Sequence, residues 1–366
     1  MTVGFFSPLP PARTGVADYS AALLGALRHR GGVKVGDGDA DVCLYHLGNN
    51  RLHSEIYRCA LARPGVAVLH DAVLHHLLLG MSGAEEYIEE FVFNYGEWHR
   101  QLAAELWQNR ARSGADGRYF RYAMLRRIAE ASKAVVVHNP GAAAIVRAHA
   151  PSACVAEIPH LFHPPSLPFG AETARLRGRL GLQPRTFLFG IFGYLRESKR
   201  LPVVLRAFEA IRSAGVDAAL LIAGEFVSTD LARALERVLY RPDVLRVGHL
   251  PERDFWLHAA AVDACINLRC PAAGETSGIA VRLMGIGKPV ILSAGEENSR
   301  FPEGSCIRVA IGPGERLELA QHMTWLVQSP VAAREMGRMA ASHIHERHSL
   351  DGTADLYWEV LSSCRG

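Results

Sequence analysis

Short apolar runs alternate with helix-period stretches along the whole chain, and one proline-rich segment cuts the series in two. In the first half, strands are expected over 2–6, 42–46, 66–69 and 134–137. In the second half they are expected over 187–192, 218–223, 244–247, 263–268, 289–293 and 307–310. Helical patterns fall between them. One starts near Asp18 and sets Leu23, Leu24 and Leu27 at core spacing. A long stretch, 85–110, carries Trp98 and Trp107, and 118–131 follows with Tyr119, Tyr122, Leu125 and Ile128 in register. The second half has helical patterns over 203–213, 230–239, 252–261 and 279–287, then 330–348 and 351–363. Strands alternating with helices imply parallel sheets joined by right-handed crossovers. The chain has 366 residues, more than the roughly 250–300 that one core usually reaches. The expected fold is therefore α/β, with two Rossmann-like parallel-sheet domains facing a cleft. The break spans 151–170 and holds Pro159, Pro164, Pro165 and Pro168. Tyr357, Trp358 and Leu361 give the last helix an apolar stripe, which either caps its own domain or crosses back to the first.

Charge excludes some function classes. The balance of 40 Lys+Arg against 37 Asp+Glu, a net of +3, is too even for a nucleic-acid coat. The seven cysteines are scattered, odd in number and free of C-x-x-C, so neither a disulfide framework nor a zinc site is expected and a reducing cytosol fits. The N-terminus reads as no signal peptide, and no window approaches a membrane span. A cytoplasmic protein is expected, with peripheral contact at the inner membrane face compatible. Only Lys34, Lys133, Lys199 and Lys288 are lysines, so a lysine in a glycine-rich loop stands out.

Ligands of doubly wound sheets bind beyond the carboxyl ends of strands. Four segments follow such ends. The first strand leads through SPLPPARTG to Gly15 at a helix start, where free amides and the helix dipole suit an anion, although a plain turn explains the glycine equally. Residues 190–200, GIFGYLRESKR, hold Gly193, Arg196, Lys199 and Arg200, a diphosphate cradle or a solvated basic turn. Residues 269–282 place Glu275 ahead of Ser277, Gly278 and Ile279 at another helix start, with Arg282 within that helix. His70 and Asp71 end the 66–69 strand. His75 and His76 lie on a helical stretch with Leu74, Leu77 and Leu78, and at least one of them reads as packing. A D-x-D at Asp37 and Asp39 precedes its strand, the edge away from the cleft, and reads as a polar turn, so no metal site is expected.

Together these loops resemble the retaining glycosyltransferases of family 4, which have the GT-B architecture. The resemblance rests on the opening strand–SPLPPARTG–helix, LYHLGNN (44–50), VLHD (68–71), VHN (137–139), FG (192–193) through Lys199 and Arg200, and GETSG (274–278) with MGIGKPV (284–290). It implies a hexose transferred from a nucleoside-diphosphate sugar to a saccharide or lipid-linked acceptor, with no cofactor and no essential metal. It assigns 1–163 to the acceptor, 164–348 to the donor and 349–366 to a C-terminal helix. By the same resemblance Lys199, Glu275 and His70 are the catalytic positions. Gly15, Gly193, Arg196, Arg200, Ser277, Gly278, Ile279 and Arg282 lie on the donor side, and His46, Asn49, Asn50, Asp71 and His138 on the acceptor side. Two positions depart from the family pattern. Tyr194 stands where an arginine usually follows the glycine, so Arg196 would substitute. Arg282 falls nearest the family's second glutamate, which leaves ribose recognition open. Two alternatives use the same architecture, a nucleotide-sugar 2-epimerase or hydrolase and a non-catalytic partner subunit. No G-x-G-x-x-G with a downstream acid supports a dehydrogenase.

Overall fold

The structure is a computed structural model that describes residues 1–165 and 170–365. Pro168 of the expected linker lies outside the described residues. Two six-stranded sheets, every pairing parallel, account for the strands. The first contains β1 (Thr2–Phe6), β2 (Gly32–Val35), β3 (Val42–Leu47), β4 (Val66–Leu69), β5 (Ala134–Val137) and β6 (Val155–Glu157), in the order β2-β1-β3-β4-β5-β6. The second contains β7 (Phe187–Phe192), β8 (Ala218–Ala223), β9 (Val244–Val247), β10 (Ala264–Asn267), β11 (Val290–Ser293) and β12 (Ile307–Val309), in the order β12-β11-β10-β7-β8-β9.

The inner strands are buried on both faces, as helices over both sides of a parallel sheet require. On one face of the first sheet lie Leu77, Tyr87, Phe91, Leu106 and Tyr119. On the other, Leu23 and Leu27 of the Gly15–Arg28 helix meet Val3 and Phe5, and Ala354, Tyr357 and Leu361 complete that layer. The Leu350–Ser363 helix thus packs on the first domain, and Tyr357 Oη lies 2.9 Å from Tyr19 Oη. Gly31 makes room for it, since a Cβ there would sit 2.3 Å from the Trp358 ring.

The sequence expectations find both edges of the second sheet, β9 and β12, and miss both edges of the first. β2 buries only Val33 and β6 none of its residues, so neither shows an apolar run. The stretch 85–110 is not one helix: Ala84–Tyr95 ends at Gly96, whose φ of 90° reverses the chain into a second helix, Arg100–Asn109. The stretch 118–131 also splits, at Met124 with φ 56°. The chain leaves the first domain along 158–165 and returns at His348–Ser349. The two crossings pair, with Phe162 N–H donating to His348 O at 2.6 Å.

Candidate functional site

The carboxyl ends of the sheets meet. Ala72, just after β4, donates its N–H to Ala273 O of the loop beyond β10, at 2.8 Å. Asn139, just after β5, donates Nδ2–H to Gly274 O and to Thr276 Oγ1, both at 2.9 Å. Thr276 Oγ1 donates to His138 O at 3.2 Å, and Tyr194 Oη, just after β7, donates to Arg13 O at 2.8 Å. Gly274 carries φ 73°, and a Cβ there would stand 2.7 Å from the Ala72 Cβ. Only glycine permits this approach.

Lys199 lies under this junction. Its side chain folds back from the short turn Glu197–Lys199, and Nζ donates to Phe192 O at 2.7 Å. The residue is 4% exposed. Burial first, and then neighbouring Arg269, pull its ammonium well below the usual lysine range, while Cys265 and Glu275 oppose them. Gly193 beside it has φ 85°, and a Cβ there would point at Ile279 and Nζ. Across from it the Gly278–Gly285 helix begins. Ser277 caps it, with Oγ accepting from Ala280 N–H at 3.3 Å and from Asn267 Nδ2–H at 2.7 Å. The amides of Gly278 and Ile279 remain unspent by that cap, and the helix dipole adds partial positive charge. Glu275 Oε2 accepts from Ala273 N–H at 2.7 Å, and Oε1 lies 3.4 Å from Arg269 Nε. Arg196 is exposed, and its charge acts on Lys199 and on Asp71.

On the facing domain, His70 and Asp71 sit at the end of β4. Asp71 Oδ2 accepts from Asn49 N–H at 2.8 Å. Burial, and then Glu275 opposite, push the Asp71 carboxyl up to about 6, against the Asn49 bond and the charges of Arg196 and Arg269. His70 packs edge-on to Tyr19 at 4.9 Å and near His138 at 5.2 Å between ring centres. Burial and the surrounding imidazoles hold it well below the ordinary histidine range. Gly15 opens its helix behind Thr14, which caps it by accepting from Ala17 N–H at 3.1 Å. A Cβ at Gly15 would meet nothing, so packing does not demand the glycine.

Several expected site residues face elsewhere. Arg200 is turned away from the cradle, its guanidinium committed to buried Glu315, with Nε at 3.2 Å. Arg282 stacks over Phe255 and Trp256, at 4.0 and 4.3 Å from the ring centres, and pairs with Glu252. Asn50 caps the turn Arg51–His53 by accepting from Leu52 N–H. Asn49 Oδ1 accepts from His76 and Leu77 N–H and so ties its loop to the helix start. His46 is fully buried behind His70, and His138 Nδ1 donates to Ile158 O at 2.9 Å. Asp37 and Asp39 form a turn, the Asp37 carboxylate accepting from Asp39 N–H. Among the described residues no group of three or more His, Cys, Asp or Glu side chains is placed to hold a metal ion.

Asn139, Arg269, Thr276 and His160 belong to the site and carry no role in the sequence reading. His160 Nε2 lies about where a Cβ on Gly278 would touch it, at 3.1 Å. Asn139 left a signal, as an asparagine directly before a proline that opens a helix, and Thr276 lies within the GETSG run. Two hollows, of about 660 and 300 Å³, are lined by Arg300 and Arg308 and by Phe162 and His345.

Two facing Rossmann-like domains meeting at the carboxyl ends of their strands define the GT-B fold. Solved structures of that fold match the chain over nearly its full length. HepE of Anabaena, in complex with UDP-glucose, has a TM-score of 0.70 at 15% identity and covers 99% of this chain and 100% of its own. Sucrose-phosphate synthase of Thermosynechococcus elongatus gives 0.67 at 16% identity, covering 99% and 100%. WaaG, a glycosyltransferase involved in lipopolysaccharide biosynthesis, gives 0.66 at 14%, covering 98% and 99%. No protein-family model matches the chain, and no curated protein matches it in sequence. At these identities the likeness is one of fold.

Proposed function

We propose that the protein is a retaining glycosyltransferase. It moves a hexose from a nucleoside-diphosphate sugar to a saccharide or lipid-linked acceptor, without an essential metal ion, on the cytoplasmic side of the membrane. One observation carries the reading: the Lys199 ammonium, almost wholly buried, is held beside Gly193 and faces the start of a helix. A buried cation aimed at free amides is an arrangement for a diphosphate. That one solved neighbour is a UDP-glucose complex agrees with it.

In this reading the second domain holds the donor and the first the acceptor. The bond from the anomeric carbon to the β-phosphate oxygen breaks as the acceptor oxygen bonds the same carbon from the same face. The acceptor's proton passes to the departing phosphate. Lys199, Arg196 and the amides of Ser277, Gly278 and Ile279 receive the charge that grows on the leaving oxygen. Fixed donors of this kind each contribute about 10²–10³-fold. Glu275 and Asp71 accept hydrogen bonds from sugar hydroxyls, and no side chain serves as nucleophile. A thermal-shift screen against UDP, GDP, ADP, CMP and dTDP and their sugars identifies the donor, because a ligand of the native state raises the melting temperature. With that donor, Lys199→Ala loses turnover while its fold is kept. A folded Lys199→Ala protein with near-normal turnover would overturn the assignment.

A further inference from the structure

His46 and His70 lie on neighbouring strands, with His46 on β3 and His70 just beyond β4. His46 Nδ1 and His70 Nε2 are 3.0 Å apart, and the rings stack at 24°. One ring must donate and the other accept. His46 is fully buried, and its second nitrogen, Nε2, has no partner among the described residues. The rings of Phe5, Tyr19 and Tyr357 surround it. Burial and the nearby imidazoles keep both histidines neutral.

Two arrangements are open to this pair. If His70 donates, the proton of His46 sits on the partnerless Nε2, an orphaned N–H in an aromatic wall. If His46 donates from Nδ1, its Nε2 is a bare lone pair. Among backbone groups a buried orphaned N–H is the rarer defect, and a ring N–H follows the same preference. The neighbouring rings show the same preference. His53 Nδ1 donates to His46 O and His138 Nδ1 to Ile158 O, each at 2.9 Å. A carbonyl only accepts, so both rings carry the proton on Nδ1 and leave a buried, partnerless Nε2.

We infer that His46 is a positioning residue: it donates Nδ1–H to His70 Nε2 and so fixes His70 as the Nδ1–H tautomer. His70 Nδ1 has no protein partner among the described residues. On the cleft side His70 is therefore a hydrogen-bond donor, suited to an oxygen of a bound polyol, and not a base. The tautomer does not rest on the glycosyltransferase reading. Only the identity of the oxygen it meets, one on the transferred sugar, rests on the glycosyltransferase reading.

The test is a long-range proton–nitrogen correlation spectrum of the ¹⁵N-labelled full chain, with His70 assigned through His70→Gln. A protonated Nδ1 and an unprotonated Nε2 on His70 are expected. The reverse pattern overturns the inference, and no substrate is needed to see it. His46→Leu should give mixed tautomers and lower turnover of the identified donor by about 10–100-fold, the scale on which partners orienting metal-bound histidines act. His46→Asn, whose amide supplies an N–H near the lost Nδ1, should recover the tautomer and most of the rate. If the two variants fold and behave alike, His46 does not position His70. If His46→Leu does not fold, the wild-type and His46→Asn spectra decide. If the protein turns over no nucleotide sugar, the glycosyltransferase reading fails while the spectra still judge the tautomer.

Discussion

Lys199 and Arg200 are adjacent cations with opposite fates. Arg200 spends its charge on Glu315, 115 residues away, whereas Lys199 is buried with one carbonyl for a partner. A buried ammonium without a tight carboxylate costs stability. Lys199→Met keeps the volume and removes the charge. Its melting temperature in a calorimetric scan should match or exceed the wild type's, while the thermal shift from the identified nucleoside diphosphate disappears. A variant that melts well below wild type would make Lys199 a structural residue. The glycines divide similarly. Gly193, at φ 85°, should lose about 1–2 kcal/mol in a urea titration when changed to alanine, because an L-residue is strained in the left-handed region. Gly15→Ala has open space and a helical position, so it should be neutral or stabilising by up to about 1 kcal/mol. At this scale the sequence showed where cations cluster but not where they point. The partners of Arg200 and Arg282 lie 115 and 30 residues off, beyond the reach of local pattern.

Among the elements, the Pro140–His149 helix does two jobs through one side chain. Asn139 Oδ1 caps it by accepting from Ala142 N–H at 2.8 Å, while Nδ2 clasps Gly274 O and Thr276 Oγ1 of the other domain. Asn139→Asp keeps the cap and loses the clasp, and Asn139→Ala loses both. The aspartate variant should hold about 1 kcal/mol more stability than the alanine one, the usual worth of a cap. Both should raise the KM for the donor sugar, because the clasped loop runs directly into Glu275 and the Ser277 cap. Urea titration and steady-state kinetics separate the two effects, and an unchanged KM in both variants would remove the clasp from the site. The strand ends that deliver these loops were readable, because inner parallel strands are apolar throughout. β2, β6 and the reversal at Gly96 were not: β2 buries one residue and β6 none, so neither shows an apolar run, and a turn takes its form from contacts that no local pattern records. The clasp was equally hidden, as it joins positions more than 130 residues apart.

Across the whole molecule, the junction between domains is built on neutral histidines. Burial lowers His138 and His348 to about 4 and His160 to about 3, and His75, inside the first domain, is also held at about 3. In the unfolded chain each titrates near 6.5. Above that pH neither state binds the proton, and stability does not depend on these groups. Between about 6.5 and 4 the unfolded chain takes up protons that the folded one refuses, so stability falls as pH falls. Asp71 works in the opposite sense. Its carboxyl is pushed up to about 6, so acid relieves its burial from there down to the ordinary aspartate range. One carboxyl offsets only part of four imidazoles. Well below pH 6.5 the four histidines together approach a slope of about 5 kcal/mol per pH unit, enough to exhaust a typical folding free energy by about pH 5. His160 and His348 occupy the paired crossings between the domains, where His348 Nδ1 donates to His160 O at 2.6 Å, and His138 bonds the loop of the opposite domain through its own carbonyl. Acid should therefore loosen the junction before it melts the two cores. Small-angle scattering down a pH series should show the radius of gyration rising before far-ultraviolet dichroism is lost. His138→Asn, which keeps an N–H near Nδ1 but binds no proton, should reduce the measured pH slope of stability by up to about 1.4 kcal/mol per unit. A stability profile flat from pH 7.5 to 5 would mean that the junction histidines already carry protons in the folded protein.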